Sequence, residues 1–283
     1  MTGSGLPDWA TEMRERDRPI FIAAATARSG TTALHRLVNS HPDVMLHGED
    51  PIMFDMAHIC ASRVVRFAQG REQYETLRRN ALQQGSDEWL DVFLPQPDVL
   101  MQTAFLMFYL TARPFRDDAR QFGKTRWGMK KPNVSPHHIA GLSALLRNAR
   151  VIYMIRDLQD VLKSGKSFYV SQGEYRPQEI CRQWAARVSA WAKQARTEQH
   201  FTLNYADLDQ RPDWVVEQLS AFLELDQLDP TVLSSRVNTQ KPAGGGYTAP
   251  QDLTDEEVEL VRQTEAAVHA DLGGVAMPPT GIA

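Results

Sequence analysis

Short apolar runs and stretches of helical periodicity alternate along most of the chain. Ile20–Ala25 and Arg150–Ile155 are dominated by apolar residues, as buried parallel strands are, and Val44–His47 and Phe201–Asn204 predict two more strands. The helical segment Thr31–Asn39 lies between the first two strands of the chain, so the chain opens with a βαβ unit. The succession predicts an α/β fold with an open parallel sheet that is covered by helices on both faces.

Further helices are predicted where apolar residues recur every three or four positions. They are Ala140–Asn148, Leu158–Phe168, a helix that begins near Pro177, and a helix around Trp214–Leu223. Residues 52–126 show mainly helical spacing and are expected to form a helical insert that makes a lid or one wall of a cleft. Residues 1–18 are predicted to be a charged, frayed lead-in, and because no linker interrupts the middle, residues 1–283 are predicted to form a single domain.

Composition and charge exclude several classes of protein. The chain is 42% hydrophobic and 23% charged, which is ordinary for a globular protein, and its net charge of −4 gives no positive field that would attract nucleic acid. The longest apolar stretch, Ala104–Leu110, is far shorter than the roughly 20 residues that cross a bilayer. We therefore expect neither a nucleic-acid partner nor a membrane span.

The cysteines and histidines give no sign of a disulfide framework or a metal site. Cys60 and Cys181 are the 2 cysteines and form no CxxC pair, which is typical of a reducing, cytoplasmic compartment. His137 and His138 follow Pro136 at a predicted helix start, and no third residue stands at metal-ligand spacing. The sequence predicts a cytoplasmic protein without a bound metal, and it predicts no particular oligomeric state.

The segment ATARSGTT joins the first predicted strand to the first helix. Free backbone N–H groups and the positive end of the helix dipole meet at such a junction and attract anions. Gly30 permits a tight turn, and Arg28 supplies a charged fork that suits phosphate oxygens. Hydroxyl donors come from Ser29, Thr31 and Thr32. The segment therefore predicts an anion-binding loop; an N-capped helix after a tight turn is the alternative.

This loop departs from the Walker A pattern GxxxxGK[ST], in which a Lys reaches the β- and γ-phosphates of a nucleoside triphosphate. Thr31 stands where that Lys is needed, and Ala25 stands where the leading Gly is needed. Phosphoryl transfer from ATP would therefore lose its usual electrophilic clamp. The departure favours another phosphate-bearing donor over the alternative of a P-loop-like small-molecule kinase.

Residues 28–32 are similar to the Arg-Ser-Gly-Thr-Thr loop of the bacterial sulfotransferases that use 3′-phosphoadenosine-5′-phosphosulfate (PAPS). Behind the strand Val151–Ile155, Arg156 and Ser164 stand eight residues apart in a segment that resembles the 3′-phosphate motif of that family. The resemblance implies that residues 28–32 hold the 5′ end of PAPS and that Arg156 and Ser164 hold its 3′-phosphate. Leu158 stands where the family often has Pro, which alters the turn but removes neither ligand.

On its own, the second motif is equally explained by a surface ion pair between Arg156 and Asp160. Together the two motifs predict two phosphate sites on neighbouring strands. Such a pair of sites suits a nucleotide that is phosphorylated at both ends.

Glu49 follows the second strand in the segment LHGEDP and so belongs to the same carboxyl edge of the sheet as Arg28. The resemblance implies that Glu49 is the base that accepts the proton of the acceptor group. His47 and Asp50 are rival bases, and a solvated loop carboxylate is the non-catalytic alternative.

Three more residues take roles from the resemblance alone. The segment WGMKKP is similar to the Trp-Gly-x-Lys-x-Pro segment of the family, which implies that Lys130, or Lys131 next to it, approaches the bridging oxygen of the donor. Tyr205 resembles the strand-end Tyr near the nucleotide, with core packing as the alternative. Lys241, in the loop QKPAGGGY, resembles the late Lys that closes over the 3′-phosphate.

The resemblance covers roughly residues 19–222 and implies a P-loop-like fold in which the insert 52–126 forms the acceptor side. It implies in-line transfer of a sulfuryl group from PAPS to a hydroxyl or amine of a small-molecule, lipid or carbohydrate acceptor. The catalytic residues would be Glu49, Lys130 and Arg28, and adenosine 3′,5′-bisphosphate would be the second product. A non-catalytic nucleotide-binding protein on the same sheet is a further alternative.

Overall fold

The computed structural model describes residues 6–50, 52–64, 71–84, 97–194, 197–234, 250–273 and 279–282. The chain divides into two compact units. The smaller unit comprises Met1–Asp17, Pro51–Pro114 and His137–Asn148, and the larger unit comprises Arg18–Asp50, Phe115–Pro136 and Ala149–Ala283.

The larger unit contains the sheet. Its strands are β1 (Ile20–Ala24), β2 (Val44–His47), β3 (Arg126–Lys131), β4 (Arg150–Ile155), β5 (His200–Asn204) and β6 (Gly281–Ile282). They lie in the order β2-β3-β1-β4-β5-β6; β1 to β5 are parallel, and β6 pairs antiparallel with β5. Every residue of β1 is buried, because strands and helices cover it on all sides. The predicted open parallel sheet of an α/β fold is confirmed.

The helices are α1 (Asp8–Glu15), α2 (Thr31–Asn39), α3 (Met53–His58), α4 (Arg71–Gln84), α5 (Pro97–Gln121), α6 (Pro136–Leu145), α7 (Leu158–Tyr169), α8 (Pro177–Lys193), α9 (Tyr205–Gln210), α10 (Pro212–Leu223) and α11 (Asp255–Asp271). A π-helix, Ile59–Val64, continues α3, and short 3₁₀ turns span Val170–Gln172 and Pro230–Leu233. Within the described ranges, no helix has both the length and the apolar character needed to cross a membrane.

Both faces of the sheet carry packed helices. On one face, Leu34 and Leu37 of α2 and Leu219 of α10 join an apolar cluster with alternate residues of the central strands. On the other face, Trp191 of α8 stacks on Tyr153 of β4 with ring centroids 4.3 Å apart. The indole N–H of Trp191 also donates to the buried Thr202 hydroxyl at 3.0 Å, so its one polar atom is satisfied inside the core.

The smaller unit is helical among the described residues. The Tyr109 hydroxyl of α5 donates to the carbonyl of Leu145 at 2.7 Å, and burial raises the pKa of this phenol. Gly141 of α6 lies so close to α3 that a Cβ there would stand 2.6 Å from the Ala57 carbonyl oxygen. The glycine therefore permits a close approach between the two helices of this unit.

The bounds of α2, β2 and β4 agree with the predictions, whereas α1, α9, β3, α11 and β6 were not predicted. The segment expected to be a frayed lead-in instead contains α1, which buries Ala10 and Met13. The predicted helix Ala140–Asn148 instead begins at Pro136 and ends at Leu145. The sequence RWGMKK of β3 has charged ends and a glycine, so it lacks the apolar run that identifies β1 and β4. The unpredicted α11 buries only Val261 and Val268 among its described residues, and β6 is 2 residues long.

Candidate functional site

The carboxyl ends of the five parallel strands meet at one edge of the sheet in the larger unit, and each delivers a polar side chain there. These side chains border a cleft of about 810 Å³, which lies within the range of ligand-binding pockets. The predicted site residues that line it are Arg28, Gly30, Thr31, Thr32, Glu49, Lys130, Arg156, Ser164 and Tyr205.

The anion-binding loop turns through two left-handed residues, Arg28 with φ 65° and Gly30 with φ 87°. Gly30 is the N-cap of α2 and supplies no side-chain cap, so the first N–H groups of the helix, at Thr31 and Thr32, face the cleft edge without an intrahelical partner. The left-handed conformation of Arg28 costs about 1–2 kcal/mol for a residue with a Cβ. Surrounding contacts must therefore hold it.

Ser29 differs from its neighbours in the loop. Its hydroxyl lies 3.0 Å from the Thr26 hydroxyl, and both residues are buried. Ser29 is not among the described residues that line the cleft. The hydroxyl of Ser29 therefore stabilises the turn, while the hydroxyl donors at the cleft are Thr31 and Thr32.

Tyr205, the first residue of α9, packs directly on the loop. A Cβ at Gly30 would stand 2.2 Å from Cδ2 of the Tyr205 ring, so no other residue fits there without moving the ring. The guanidinium of Arg156 lies over the same ring, 4.3 Å from its centroid. The ring thus contacts both the turn at Gly30 and the guanidinium of Arg156, and it stabilises that cation by a cation–π contact.

Arg28 and Ser164 are in direct contact: Arg28 Nε donates to Ser164 Oγ at 3.1 Å. The Arg28 guanidinium also lies over the Phe168 ring, 5.0 Å from its centroid. Arg156 NH1 donates to the carbonyl of Arg28 at 2.8 Å, which fixes the loop from the side of β4. The two segments that the sequence predicts as separate anion sites therefore lie side by side on neighbouring strands.

Arg156 retains donor capacity after these contacts. Its NH2 lies 3.7 Å from Asp160 Oδ2, so the ion pair that was the alternative for this motif is present but long. Its Nε is buried and has no hydrogen-bond partner among the described residues. A buried unsatisfied cationic donor is costly to the folded state.

Glu49 and Lys130 form the opposite side of the cleft. Lys130 Nζ donates to Glu49 Oε1 at 2.8 Å. The lysine side chain is 13% exposed and the glutamate side chain is 53% exposed, so the carboxylate faces the open cleft while the ammonium lies deeper.

The rival residues are engaged elsewhere. His47 Nε2 lies 2.8 Å from Asp118 Oδ2, and its Nδ1 lies 3.3 Å from the Gly128 carbonyl oxygen. Lys131 Nζ donates to the carbonyl of Asp50 at 2.9 Å. None of these residues is among the described residues that line the cleft, which favours Glu49 and Lys130 over His47, Asp50 and Lys131. Lys241 lies outside the described residues.

Several lining residues were not identified from the sequence: Asn133, Phe168, Tyr169, Asp209, Leu233 and Pro250. Burial raises the pKa of the Tyr169 phenol, which keeps that side chain neutral at the cleft wall. Asn133 follows the WGMKKP segment by one residue, so only an extension of that motif would have found it. The other five belong to segments without a motif in the sequence.

A second cavity of about 200 Å³ lies beside the cleft. Ala27, Arg28, Asn133 and Tyr169 border both spaces, so the anion-binding loop forms part of the wall between them. Among the described residues, no group of three or more His, Cys, Asp or Glu side chains is arranged to hold a metal ion.

Residues 19–230 match the model of a family described as the Sulfotransferase family. The mouse sulfotransferase SULT7A1 in complex with PAP is 11% identical, with 93% of this chain and 89% of that chain covered at a TM-score of 0.53. A sulfotransferase domain from the curacin biosynthetic pathway is 16% identical (93% and 99% covered, TM-score 0.48), and a sulfotransferase from Alicyclobacillus acidocaldarius is 16% identical (90% and 94% covered, TM-score 0.47). A comparison with curated protein sequences gave no match.

Proposed function

The chain belongs to the sulfotransferase family, and from this premise we propose that it transfers the sulfuryl group of PAPS to a hydroxyl or amine of an acceptor. The observation that carries the proposal is the contact between Arg28 Nε and Ser164 Oγ at 3.1 Å. It joins the loop after β1 to the helix after β4, where the two ends of a nucleotide with a 5′- and a 3′-phosphate would bind. PAP, the bisphosphate in the mouse structure, is such a nucleotide.

The cleft fits PAPS in size and in charge. A volume of about 810 Å³ accommodates a nucleotide, and Arg156 and Ser164, which line the cleft, supply a cation and a hydroxyl on the 3′ side. On the 5′ side, the N–H groups at the start of α2, the hydroxyls of Thr31 and Thr32 and the Arg28 guanidinium suit a phosphosulfate. Tyr205, whose ring contacts the Arg156 guanidinium, would pack near the nucleotide.

When bound, PAPS supplies the sulfuryl group and a phosphate leaving group. The oxygen or nitrogen of the acceptor attacks sulfur, the bond from sulfur to the 5′-phosphate oxygen breaks, and the leaving bisphosphate keeps the electron pair. Glu49 takes the proton of the acceptor, and Lys130 and Arg28 stabilise the negative charge that develops on the leaving phosphate and the sulfuryl oxygens. The 2.8 Å contact between Lys130 Nζ and Glu49 Oε1 supports the proposal that both residues act at the reacting atoms.

We also propose that both compact units belong to one sulfotransferase domain, because the family match over residues 19–230 includes segments of each. In this proposal the helical insert 52–126 contributes the acceptor side, and the acceptor is a small molecule, lipid or carbohydrate. Lys241 would close over the 3′-phosphate. The cytoplasmic location stays a prediction from the cysteine content.

Calorimetry with adenosine 3′,5′-bisphosphate and with ADP tests the donor. We expect the bisphosphate to bind at least about tenfold more tightly than ADP, because only the bisphosphate reaches Arg156 and Ser164 with a 3′-phosphate. Equal affinities, or no binding of either, would contradict the proposal. Incubation of PAPS with a panel of alcohols, phenols, amines and sugars then identifies the acceptor class by release of the bisphosphate, and turnover that persists in EDTA separates this reaction from a magnesium-dependent kinase.

A further inference from the structure

Asn133, two residues after the end of β3, is hydrogen-bonded to the backbone of the anion-binding loop. Its Oδ1 accepts a hydrogen bond from the Ala27 N–H at 2.7 Å. The same oxygen accepts from Arg187 NH1 at 3.3 Å, and that NH1 also donates to the Ala25 carbonyl at 2.8 Å. One asparagine and one arginine thus bind one backbone group each of Ala25 and Ala27, two of the three residues before Arg28.

The conformation of Asn133 is part of this arrangement. Its φ is 59°, in the left-handed region, where asparagine is better tolerated than most residues with a side chain. The next residue, Val134, donates its N–H to the Ala24 carbonyl at 3.0 Å. The exit of β3 is therefore joined to the exit of β1 at Ala24 and Ala27, which links the strand that carries Lys130 to the loop that carries Arg28.

Arg187 is a half-buried cation in this network. Burial lowers the pKa of its guanidinium, so its hydrogen bonds to Ala25 and Asn133 compensate for lost contact with water. Arg187 belongs to α8, and its side chain contacts the loop at the Ala25 carbonyl. It orients the Asn133 amide with the oxygen toward the Ala27 N–H.

Resting on the proposed function, we infer that Asn133 is a positioning residue that acts through Arg28. The Ala27 N–H on one side, held by Asn133, and the Arg28 carbonyl on the other, held by Arg156 NH1 at 2.8 Å, enclose the strained left-handed backbone of Arg28. Without the Asn133 oxygen, the turn can relax, and the Arg28 guanidinium no longer points at the 5′ end of the donor.

Two substitutions at Asn133 distinguish the contribution of its side-chain oxygen from that of its left-handed backbone conformation. Asn133→Gly keeps the left-handed φ accessible but removes the acceptor, whereas Asn133→Asp keeps an acceptor oxygen at the same position. The matched control is Asn39→Gly, because Asn39 Oδ1 also accepts a backbone N–H, that of Leu46 at 2.7 Å, away from the loop.

Calorimetry with two nucleotides reads the effect. In Asn133→Gly, affinity for adenosine 3′,5′-bisphosphate is expected to fall about tenfold, while affinity for adenosine 3′-monophosphate, which lacks the 5′ group, changes less than about twofold. Asn39→Gly is expected to bind both nucleotides as the wild type does. Equal weakening for both nucleotides would show a merely structural role and overturn the inference.

A double-mutant cycle with Arg28→Ala tests the route of action. If Asn133 acts through Arg28, Asn133→Gly has no further effect on bisphosphate affinity once the guanidinium is gone. An undiminished tenfold loss in that background would overturn the inference.

Hydrogen exchange of the Ala27 amide in unliganded protein gives a readout that needs no nucleotide. Protection is expected in the wild type and in Asn133→Asp, and its loss in Asn133→Gly. If the wild type binds neither the bisphosphate nor ADP, the proposed function fails, and unchanged Ala27 protection in Asn133→Gly would separately refute the positioning role.

Discussion

The Nε atom of Arg28 donates to the hydroxyl of Ser164 across 136 residues of sequence, at a distance of 3.1 Å. Arg28 belongs to the turn after β1 and Ser164 to the helix after β4, and these strands are hydrogen-bonded neighbours. The two segments that resemble the 5′ and 3′ sites of a sulfotransferase are thus linked by a side-chain contact.

The first prediction concerns Ser164→Ala. This variant is expected to bind adenosine 3′,5′-bisphosphate about tenfold more weakly by calorimetry, because it loses a hydrogen bond to a charged group. Ser167→Ala is the matched control, since the buried Ser167 hydroxyl in the same helix donates to the Ser164 carbonyl at 3.0 Å instead of lining the cleft. A loss of similar size in both variants would indicate damage to α7 and not the loss of a phosphate ligand.

The second prediction concerns the base. Glu49→Gln is expected to lower kcat at least about 100-fold with an acceptor from the panel, because the amide cannot take a proton, and to leave bisphosphate affinity within about twofold of the wild type. His47→Gln is expected to retain turnover, since His47 is engaged by Asp118 and the Gly128 carbonyl. The reverse pattern, an active Glu49→Gln and an inactive His47→Gln, would transfer the role to His47.

The third prediction concerns Gly30→Ala. A Cβ at Gly30 meets the Tyr205 ring at 2.2 Å, so the ring must move off the turn and away from Arg156. We expect the free energy of unfolding to fall by about 2 kcal/mol or more and bisphosphate binding to be lost.

Gly173→Ala is the matched control for Gly30→Ala. Gly173 also has a positive φ, 69°, but a Cβ there meets no atom within 4 Å. It carries the same backbone strain without the clash, so it is expected to lose about 1–2 kcal/mol and to keep nucleotide affinity. Denaturant unfolding and calorimetry measure both variants, and equal losses of affinity would show that the Tyr205 contact is unimportant.

The fourth prediction is a pH dependence of stability at Glu257 of α11. Its side chain is 12% exposed and accepts from Lys166 Nζ and the Thr254 N–H, both at 2.7 Å. Burial acts to raise the pKa of Glu257, but the hydrogen bonds from Lys166 and Thr254 outweigh it and hold the pKa below its ordinary value. The stability from this carboxylate is therefore present above the unfolded pKa of about 4.3 and is lost as the pH falls through the folded value.

Glu257→Gln is expected to lower the unfolding free energy by about 2 kcal/mol at pH 7, and the difference from the wild type is expected to shrink below about pH 4. Glu256→Gln, in the same first turn but exposed, is the control and is expected to cost about 0.5 kcal/mol or less at pH 7. A Glu257 difference that stays constant from pH 7 to pH 3 would contradict the ion-pair explanation.

Elements with a local signal could be predicted from the sequence. β1 and β4 are predominantly apolar runs, and the turn between β1 and α2 has a composition that few other structures require, so strand, loop and helix were predicted together. The approach of Arg28 to Ser164 follows from the rule that parallel strands end at one edge. The residues that line the cleft at that edge include most of those that the motifs indicated.

Elements that depend on distant partners could not be predicted. β3 is a strand because it fits between β1 and β2, and Gly128 is needed there because a Cβ would stand 1.7 Å from the Ile20 carbonyl oxygen. Asn133 contacts Ala27 and Arg187 at separations of 106 and 54 residues. No pattern within a short window reports such contacts.

The position of β3 between β1 and β2 has a consequence for how the molecule folds. β1 and β2 are separated in the sheet by β3, which follows residues 48–125 in the chain. Until β3 is in place, the two strands of the first βαβ unit have a gap between them. Long-range closure of this kind slows folding and leaves strand edges open to other chains in the meantime. Since β3 carries Lys130, this lysine can reach Glu49 only when the gap closes, and a partly folded chain therefore lacks the Lys130–Glu49 pair.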